Sequence, residues 1–224
     1  MIRLDNLSKS YFVQGYERVV ADNLNVTIPS NVSVGLLGRN GAGKSTLLSM
    51  IGGTTAPTSG RVITDGTISW PVGFSGSFNG ELSGAQNVRF IARVYGVDSD
   101  ELVDFTADFA EIGRQYYEPV RTYSSGMKSR LAFGLSMGVP FDTYLVDEVT
   151  GAGDARFREK SLQFFTDRMQ KSGALFVSHG MEAIRRFCTA GAVLEAGKLT
   201  YFENIDEAIA FHHANMQVKE SYDD

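Results

Sequence analysis

The sequence is short of cysteine, histidine, surplus basic charge and long apolar runs, and each shortage removes a class of function. A single cysteine, Cys188, in 224 residues rules out an intrachain disulfide and agrees with a reducing compartment, for which the cytosol is the default. Three histidines, two of them adjacent at His212 and His213, make no ligand set with that cysteine, so no structural metal site is expected. Lysine and arginine number 21 against 26 acids, a formal charge of −5, so the basic footprint left by binding to a nucleic-acid backbone is missing and no nucleic-acid partner is expected. No stretch approaches the roughly 18 apolar residues that span a bilayer, and the opening Met1-Ile2-Arg3-Leu4-Asp5-Asn6-Leu7-Ser8-Lys9 has no apolar core of signal-peptide length. The chain is therefore not expected to enter a membrane by itself. Its length suits one continuous compact domain with room for a subdomain.

The most specific stretch is Gly38-Arg39-Asn40-Gly41-Ala42-Gly43-Lys44-Ser45-Thr46, which satisfies the phosphate-loop pattern G-x-x-x-x-G-K-[ST]. In that pattern glycines let backbone N–H groups turn inward on phosphates, the lysine reaches the β and γ oxygens, and the serine hydroxyl can hold Mg²⁺. Val32 to Leu37 has a strand's apolar character, and Thr46 to Ile51 continues as a helix whose N-terminal dipole favours an anion. Strand, loop and helix stand in the order the motif requires, so the stretch is read as a nucleotide phosphate cradle rather than a chance glycine-rich turn.

Residues 2 to 36 read as β-rich, because Ile2-Arg3-Leu4 and Leu24-Asn25-Val26-Thr27-Ile28 alternate apolar and polar with a strand's period. Tyr11 closes the first strand region, and its ring either packs in the ordinary way or stacks on a base. After the loop helix, Gly52-Gly53 and Pro57-Thr58-Ser59-Gly60 are turn chemistry, and Arg61 to Ile63 with Thr67 to Trp70 predict a hairpin around Asp65-Gly66. From Leu82 to about Ile112 the pattern is helical, with Leu102, Phe105, Phe109 and Ile112 forming one apolar stripe that is read as core.

Tyr123-Ser124-Ser125-Gly126-Met127 precedes a helix-prone run from Lys128 to Met137, and small residues there serve either as a plain helix cap or as an anion site. Tyr144-Leu145-Val146-Asp147-Glu148 is an apolar strand ending in two acids, which need a partner or a cation when buried. With a phosphate loop upstream, Asp147 is read as holding Mg²⁺ or its water and Glu148 as accepting a proton from the attacking water. Ala174-Leu175-Phe176-Val177-Ser178-His179 repeats the design, delivering His179 to the same edge. These strand ends beside a phosphate loop place the ligand at the carboxyl edge of a largely parallel sheet in an α/β fold. Ala192 to Leu194 and Leu199 to Phe202 form a β pair around Gly197, and a last helix carries Ile205, Ala208, Ile209 and His212 on one face. The acidic end, Glu220 to Asp224, is read as a solvated terminus.

The order of these motifs resembles the ATPase subunit of an ABC transporter over nearly the whole chain. Gly38 to Thr46 resembles that family's first Walker motif, Tyr123 to Met127 its signature, Tyr144 to Glu148 its second Walker motif, Gly151-Ala152-Gly153-Asp154 its D-loop, His179 its switch histidine and Tyr11 its adenine-stacking aromatic. More narrowly, Trp70-Pro71-Val72-Gly73-Phe74, Gly84 to Phe90, Thr122 to Leu131 and Asp147 to Phe157 are similar to the ATPase of bacterial capsular polysaccharide exporters. The signature departs from the usual Leu-Ser-Gly-Gly-Gln, Val149 replaces a usual proline, and no glutamine stands near Phe74 to Gly76.

The resemblance implies a phosphate-loop NTPase of the ABC type: a mostly parallel core sheet with an N-terminal antiparallel β subdomain (residues 1–80 and 141–224) and a helical subdomain (about 81–140), all within one domain. It implies ATP with Mg²⁺, the metal held by Ser45 and Asp147, and catalysis by Lys44, Glu148 and His179. Two copies would close head to tail, so that Ser124, Ser125, Gly126, Met127 and Asp154 of one complete the site of the other. The expected partners are a small polytopic membrane permease, docked near Leu82 to Ile112, envelope-spanning export proteins and a lipid-linked polysaccharide, with the chain peripheral on the cytoplasmic face of the bacterial inner membrane. The chain ends soon after the ATPase fold, which favours the capsule branch over O-antigen exporters with an appended carbohydrate-binding domain. The alternatives are the ATPase of an O-antigen, teichoic-acid or other ABC transporter, a soluble ATP-driven clamp, and a non-hydrolysing nucleotide-sensing scaffold.

Overall fold

The computed structural model describes residues 1–76, 78–147, 154–178 and 180–220, with side chains to residue 217. In chain order its strands and helices are β1 (Ile2–Val13), β2 (Tyr16–Ile28), β3 (Ser33–Leu37), α1 (Lys44–Ile51), β4 (Ser59–Thr64), β5 (Ile68–Pro71), α2 (Gly84–Tyr95), α3 (Ser99–Ala110), α4 (Ser125–Gly138), β6 (Thr143–Asp147), α5 (Ala155–Met169), β7 (Gly173–Val177), α6 (Met181–Phe187), β8 (Ala190–Glu195), β9 (Lys198–Phe202) and α7 (Ile205–Glu220). They form two compact units, one of residues 1–69, 141–148 and 169–224, the other of residues 70–140 and 149–168.

The first unit holds both sheets. β1, β2 and β4 make an antiparallel sheet in the order β2-β1-β4, and a six-stranded sheet runs β5-β6-β7-β3-β8-β9. Strands β6, β7, β3 and β8 are mutually parallel, so their carboxyl ends share one edge, while β9 pairs antiparallel to β8. β7 is buried along its whole length and β3 over four of its five residues, as parallel strands covered on both faces must be. Leu4 and Leu7 of β1, Leu47 and Leu48 of α1, and Leu145 and Leu175 of the large sheet belong to one core. Ile205, Ala208, Ile209 and His212 are all buried on α7, as their spacing predicts.

Three expectations differ from the structure. Arg61 to Ile63 and Thr67 to Trp70 do not form a hairpin: β4 pairs with β1, with Leu4 opposite Val62, while β5 joins the large sheet beside β6. Asp65-Gly66 is the crossing between sheets. The Asp142 carboxylate fixes it by accepting from the Thr67 N–H at 2.7 Å and the Thr67 hydroxyl at 2.8 Å. The stripe of Leu102, Phe105, Phe109 and Ile112 also does not lie on one helix. Gly96, at φ 68°, ends α2, and α3 stops at Ala110 with Glu111 left-handed at φ 51°, so Ile112 lies beyond the helix that carries Leu102, Phe105 and Phe109. In addition, β1 runs past Tyr11 to Val13.

The second unit is helical. α2 opens with a reciprocal cap in which the Gln86 N–H donates to Ser83 Oγ and the Ser83 N–H to Gln86 Oε1, so Gln86 is occupied in structure. Buried Asn87 braces the preceding loop, accepting from the Asn79 N–H and donating to the Asn79 and Ser83 carbonyls. Phe109 is the centre of the core. Its ring lies 5.3 to 5.8 Å from those of Phe105, Phe133, Phe157 and Phe164. Phe109→Ala is expected to destabilise the protein by about 3–5 kcal/mol through lost burial and a residual cavity. Urea unfolding followed by circular dichroism checks this, and a midpoint equal to wild type would contradict the packing described.

Candidate functional site

β3 delivers the chain to the carboxyl edge at Leu37, the loop turns, and α1 begins at Lys44. The turn fits only because of its glycines. A Cβ on Gly43, which sits at φ 104°, would lie 2.2 Å from Val20 Cγ1, and one on Gly38 would lie 2.4 Å from the Leu194 carbonyl oxygen. α1 has no side-chain cap and no acid of its own in its first turn, which leaves the first N–H groups of the helix without a capping side chain. The Lys44 ammonium donates to the carbonyls of Gly38 at 2.7 Å and Arg39 at 3.0 Å, which folds it over the mouth of the loop.

A cleft of about 730 Å³ opens on this loop, within the range of small-molecule sites. Tyr11, Phe12 and Val13 line one end, residues of the loop and of the start of α1 the floor, and Asp147 and Val177 the other end. Tyr11 is 39% exposed, and the Lys9 ammonium sits 4.8 Å from its ring centre. Tyr11, Asn40, Gly41, Gly43, Lys44, Ser45, Thr46 and Asp147 thus meet in one cavity. Gly38 and Arg39 line a second, smaller cavity with Asn40 and Lys44. Ala42 instead closes the turn, its N–H donating to the Arg39 carbonyl at 3.1 Å. Glu148, Gly151, Ala152, Gly153 and His179 fall outside the described residues. Asp147 and Ser178, next to two of them in sequence, stand at the ends of adjacent parallel strands, where Asp147 pairs with Val177.

Ser45 and Asp147 bring only oxygen donors, a hydroxyl and a carboxylate, which suits a hard cation such as Mg²⁺ that takes its remaining ligands from phosphates and water. Among the described residues no group of three or more histidines, cysteines and acids gathers, so a protein-only metal cage is not formed by them. The residues that sequence reasoning missed are Phe12, Val13, Arg18, Val20 and Val177. Arg18 lies opposite Tyr11 across the β1–β2 pairing and donates to the Gly41 carbonyl at 2.9 Å, tying the Tyr11 end of the cleft to the phosphate loop. No motif marks it; only the register of the two strands does.

The remaining expected residues sit in the helical unit. Ser124 caps α4, its Oγ accepting from the Met127 N–H at 3.2 Å, and Ser125, Gly126 and Met127 form the first turn. Asp154 heads α5, one carboxylate oxygen accepting from the Phe157 N–H at 2.9 Å and the other from Arg130 at 2.7 Å. These hydrogen bonds, the backbone one foremost, hold its carboxyl below the usual carboxylate range.

Residues 21–151 match the ABC transporter family. The chain is 49% identical over 212 residues to the polysialic acid transport ATP-binding protein KpsT of Escherichia coli, covering 93% of this chain and 95% of that one. It is 42% identical over 214 residues to the capsule polysaccharide export ATP-binding protein CtrD of Neisseria meningitidis serogroup B, covering 96% and 99%. Among solved structures, the dimeric post-hydrolysis state of the ATP-binding cassette MJ0796 bound to ADP and Pi superimposes with a TM-score of 0.74 at 22% identity, covering 91% of this chain and 98% of that one, which places the fold.

The close approach of β2 to the loop carries a direct expectation. Gly43→Ala, strained in φ and driven into Val20, is expected to weaken nucleoside triphosphate binding roughly tenfold or more. Calorimetric titration with a non-hydrolysable ATP analogue measures it, and undiminished affinity would remove this loop from the site.

Proposed function

The chain belongs to the ABC transporter family as an ATP-binding subunit, and from that premise we propose that it hydrolyses ATP to drive export of a lipid-linked capsular polysaccharide across the bacterial inner membrane. The observation that carries the chemistry is the meeting of the glycine-turned loop, Lys44, Ser45 and Asp147 in one cleft. The cargo class is supported by 42–49% identity to proteins named for polysialic acid transport and capsule polysaccharide export.

In this reading Tyr11 stacks on the adenine, with Phe12 and Val13 beside it, and the backbone N–H groups of residues 41 to 46 hold the phosphates. Lys44 exchanges its bonds to the Gly38 and Arg39 carbonyls for β and γ oxygens. Ser45 and Asp147 would hold Mg²⁺, which would supply positive charge against the phosphate oxygens. Glu148 orients and deprotonates water, His179 holds the γ-phosphate, and the products are ADP and phosphate. Phosphoryl transfer of this kind is mostly positioning and charge stabilisation, which the fixed dipoles of the loop provide without rearrangement.

A second copy completes the site head to tail, bringing Ser124, Ser125, Gly126, Met127 and Asp154 to the γ-phosphate. The membrane subunit docks on α2, where Phe90 and Val94, one turn apart, are 62% and 60% exposed while Val88 and Ala92 on the other face are buried. Among the described residues no helix is long and apolar enough to cross a membrane; in this reading the chain is held at the cytoplasmic face by that partner. Arg89 beside them is paired with Asp100 at 2.6 Å, which makes the apolar pair the cleaner probe of docking.

Glu148→Gln is expected to keep ATP affinity while cutting phosphate release by about 100-fold or more and accumulating a closed dimer. A phosphate-release assay with size-exclusion chromatography tests this, and wild-type turnover would remove Glu148 from the reaction. Separately, Phe90→Asp combined with Val94→Asp is expected to lower co-purification of the membrane subunit roughly tenfold or more without loss of ATP binding. Equal recovery would exclude the α2 face.

A further inference from the structure

Behind the phosphate loop lies the second cavity, about 340 Å³, in the same unit as the cleft. Asn40 and Lys44 line both cavities, so the two share a wall at the loop. The polar lining beyond them is Arg39, Ser178 and His212, the last brought in by α7. His212 is only 6% exposed, and its Nδ1 is buried with no hydrogen-bond partner among the described residues. The Arg39 Nη1 is in the same condition. Two buried nitrogens left without partners in one cavity are costly unless something there accepts from them, since buried polar groups are as a rule satisfied.

The lining selects the sign and size of that acceptor. Arg39 and Lys44 are both cations near enough to His212 to act on its charge, as His213 on α7 does, while the Glu195 carboxylate at the end of β8 acts in the opposite sense. Burial foremost, with His213, Lys44 and Arg39, holds the imidazole below its ordinary range, and a neutral ring whose Nδ1 carries the proton donates from that nitrogen. Arg39 and Lys44 in the lining disfavour a cation, and among the described residues His212 is the one ring in the lining on which a base could stack. Arg39, His212 and the Ser178 hydroxyl are the donors a small tetrahedral oxyanion needs.

We propose that this cavity binds inorganic phosphate through Arg39, His212 and Ser178, a site separate from the nucleotide cleft and joined to it at Lys44 and Asn40. It rests on the ATPase reading for the origin of the ligand: phosphate cleaved from ATP crosses beneath the loop and pauses against α7 before leaving. No bond is made or broken there. The chemistry would equally accept the terminal phosphate of ATP itself, and the experiment separates the two sources.

Equilibrium dialysis of the full chain with radiolabelled phosphate, first saturated with a non-hydrolysable ATP analogue whose binding is measured in parallel, reads the site directly. The expected result is one phosphate per chain with the analogue in place, and a shift of one histidine ring resonance on titration that is missing in His212→Leu. His212→Leu, which keeps the apolar volume of α7, is expected to weaken phosphate binding roughly tenfold or more, and His212→Asn, which keeps a nitrogen near the Nδ1 position, to recover part of it. Analogue binding without phosphate binding, or phosphate binding unchanged in His212→Leu, would overturn the site while leaving the ATPase reading intact. Failure of the analogue to bind would instead overturn the ATPase reading.

Discussion

The structure depends on one close approach, that of two strands to a single turn of backbone. Val20 of β2 packs where a Gly43 side chain would be, and the Leu194 carbonyl of β8 lies where a Gly38 side chain would be. The loop is therefore held at both ends by elements far from it in sequence, and Arg18 adds a third restraint through the Gly41 carbonyl. A turn pinned in this way has met its ordering cost during folding, so its N–H groups are aimed before any phosphate arrives. The absence of side chains at Gly38 and Gly43 is what allows the sheets to reach the loop; the same two positions that give the turn its shape give it its rigidity.

That restraint explains why both sheets are needed in one unit. The parallel strands supply the edge: β3 leads into the loop, β6 ends at Asp147 beside β7, and β8 brings the Leu194 carbonyl. The antiparallel sheet supplies the opposite wall, with Tyr11 to Val13 and Arg18 to Val20 on the two strands of one pairing. Leu4, Leu24, Leu47 and Leu175 share a single core, so displacement of either sheet opens apolar surface and is resisted in proportion to the area exposed.

What was legible in the sequence was what is local. The phosphate loop, the strand before it and the helix after it are contiguous, and the structure brings eight of the expected residues into one cleft. The buried face of α7 and the β8–β9 pair were equally plain, because a period or a turn specifies each. What failed was non-local. β4 and β5 carry strand patterns on either side of a turn, yet each found a partner elsewhere, since β1 offered an open edge and Asp142 could hold the crossing. Arg18 and Val20 were invisible for the same reason: the place of Arg18 opposite Tyr11, and of Val20 between the residues paired with Ser10 and Lys9, depends on a β1–β2 register that shifts three times between Leu4 and Ser10, and no spacing in the sequence encodes such irregularities. Ile112 misled because apolar spacing continued past the point where Glu111 had ended the helix.

The helical unit makes its own contribution to the proposed half-site. Arg130 is on α4, the helix that Ser124 caps, and Asp154 is the residue that heads α5, so their ion pair ties the signature turn to the start of α5. An exposed pair of this kind is worth little alone. This one is reinforced: the Arg130 guanidinium lies 4.6 Å from the centre of the buried Phe157 ring, and Phe157 donates its N–H to Asp154. Phe157 in turn packs against Phe109 in the core of the unit. The two segments expected to reach a partner's nucleotide are thus fixed to one aromatic core, and any movement of that core carries both together. A site completed in trans by such a pair opens or closes as a whole, which is the property an ATP-driven export cycle requires.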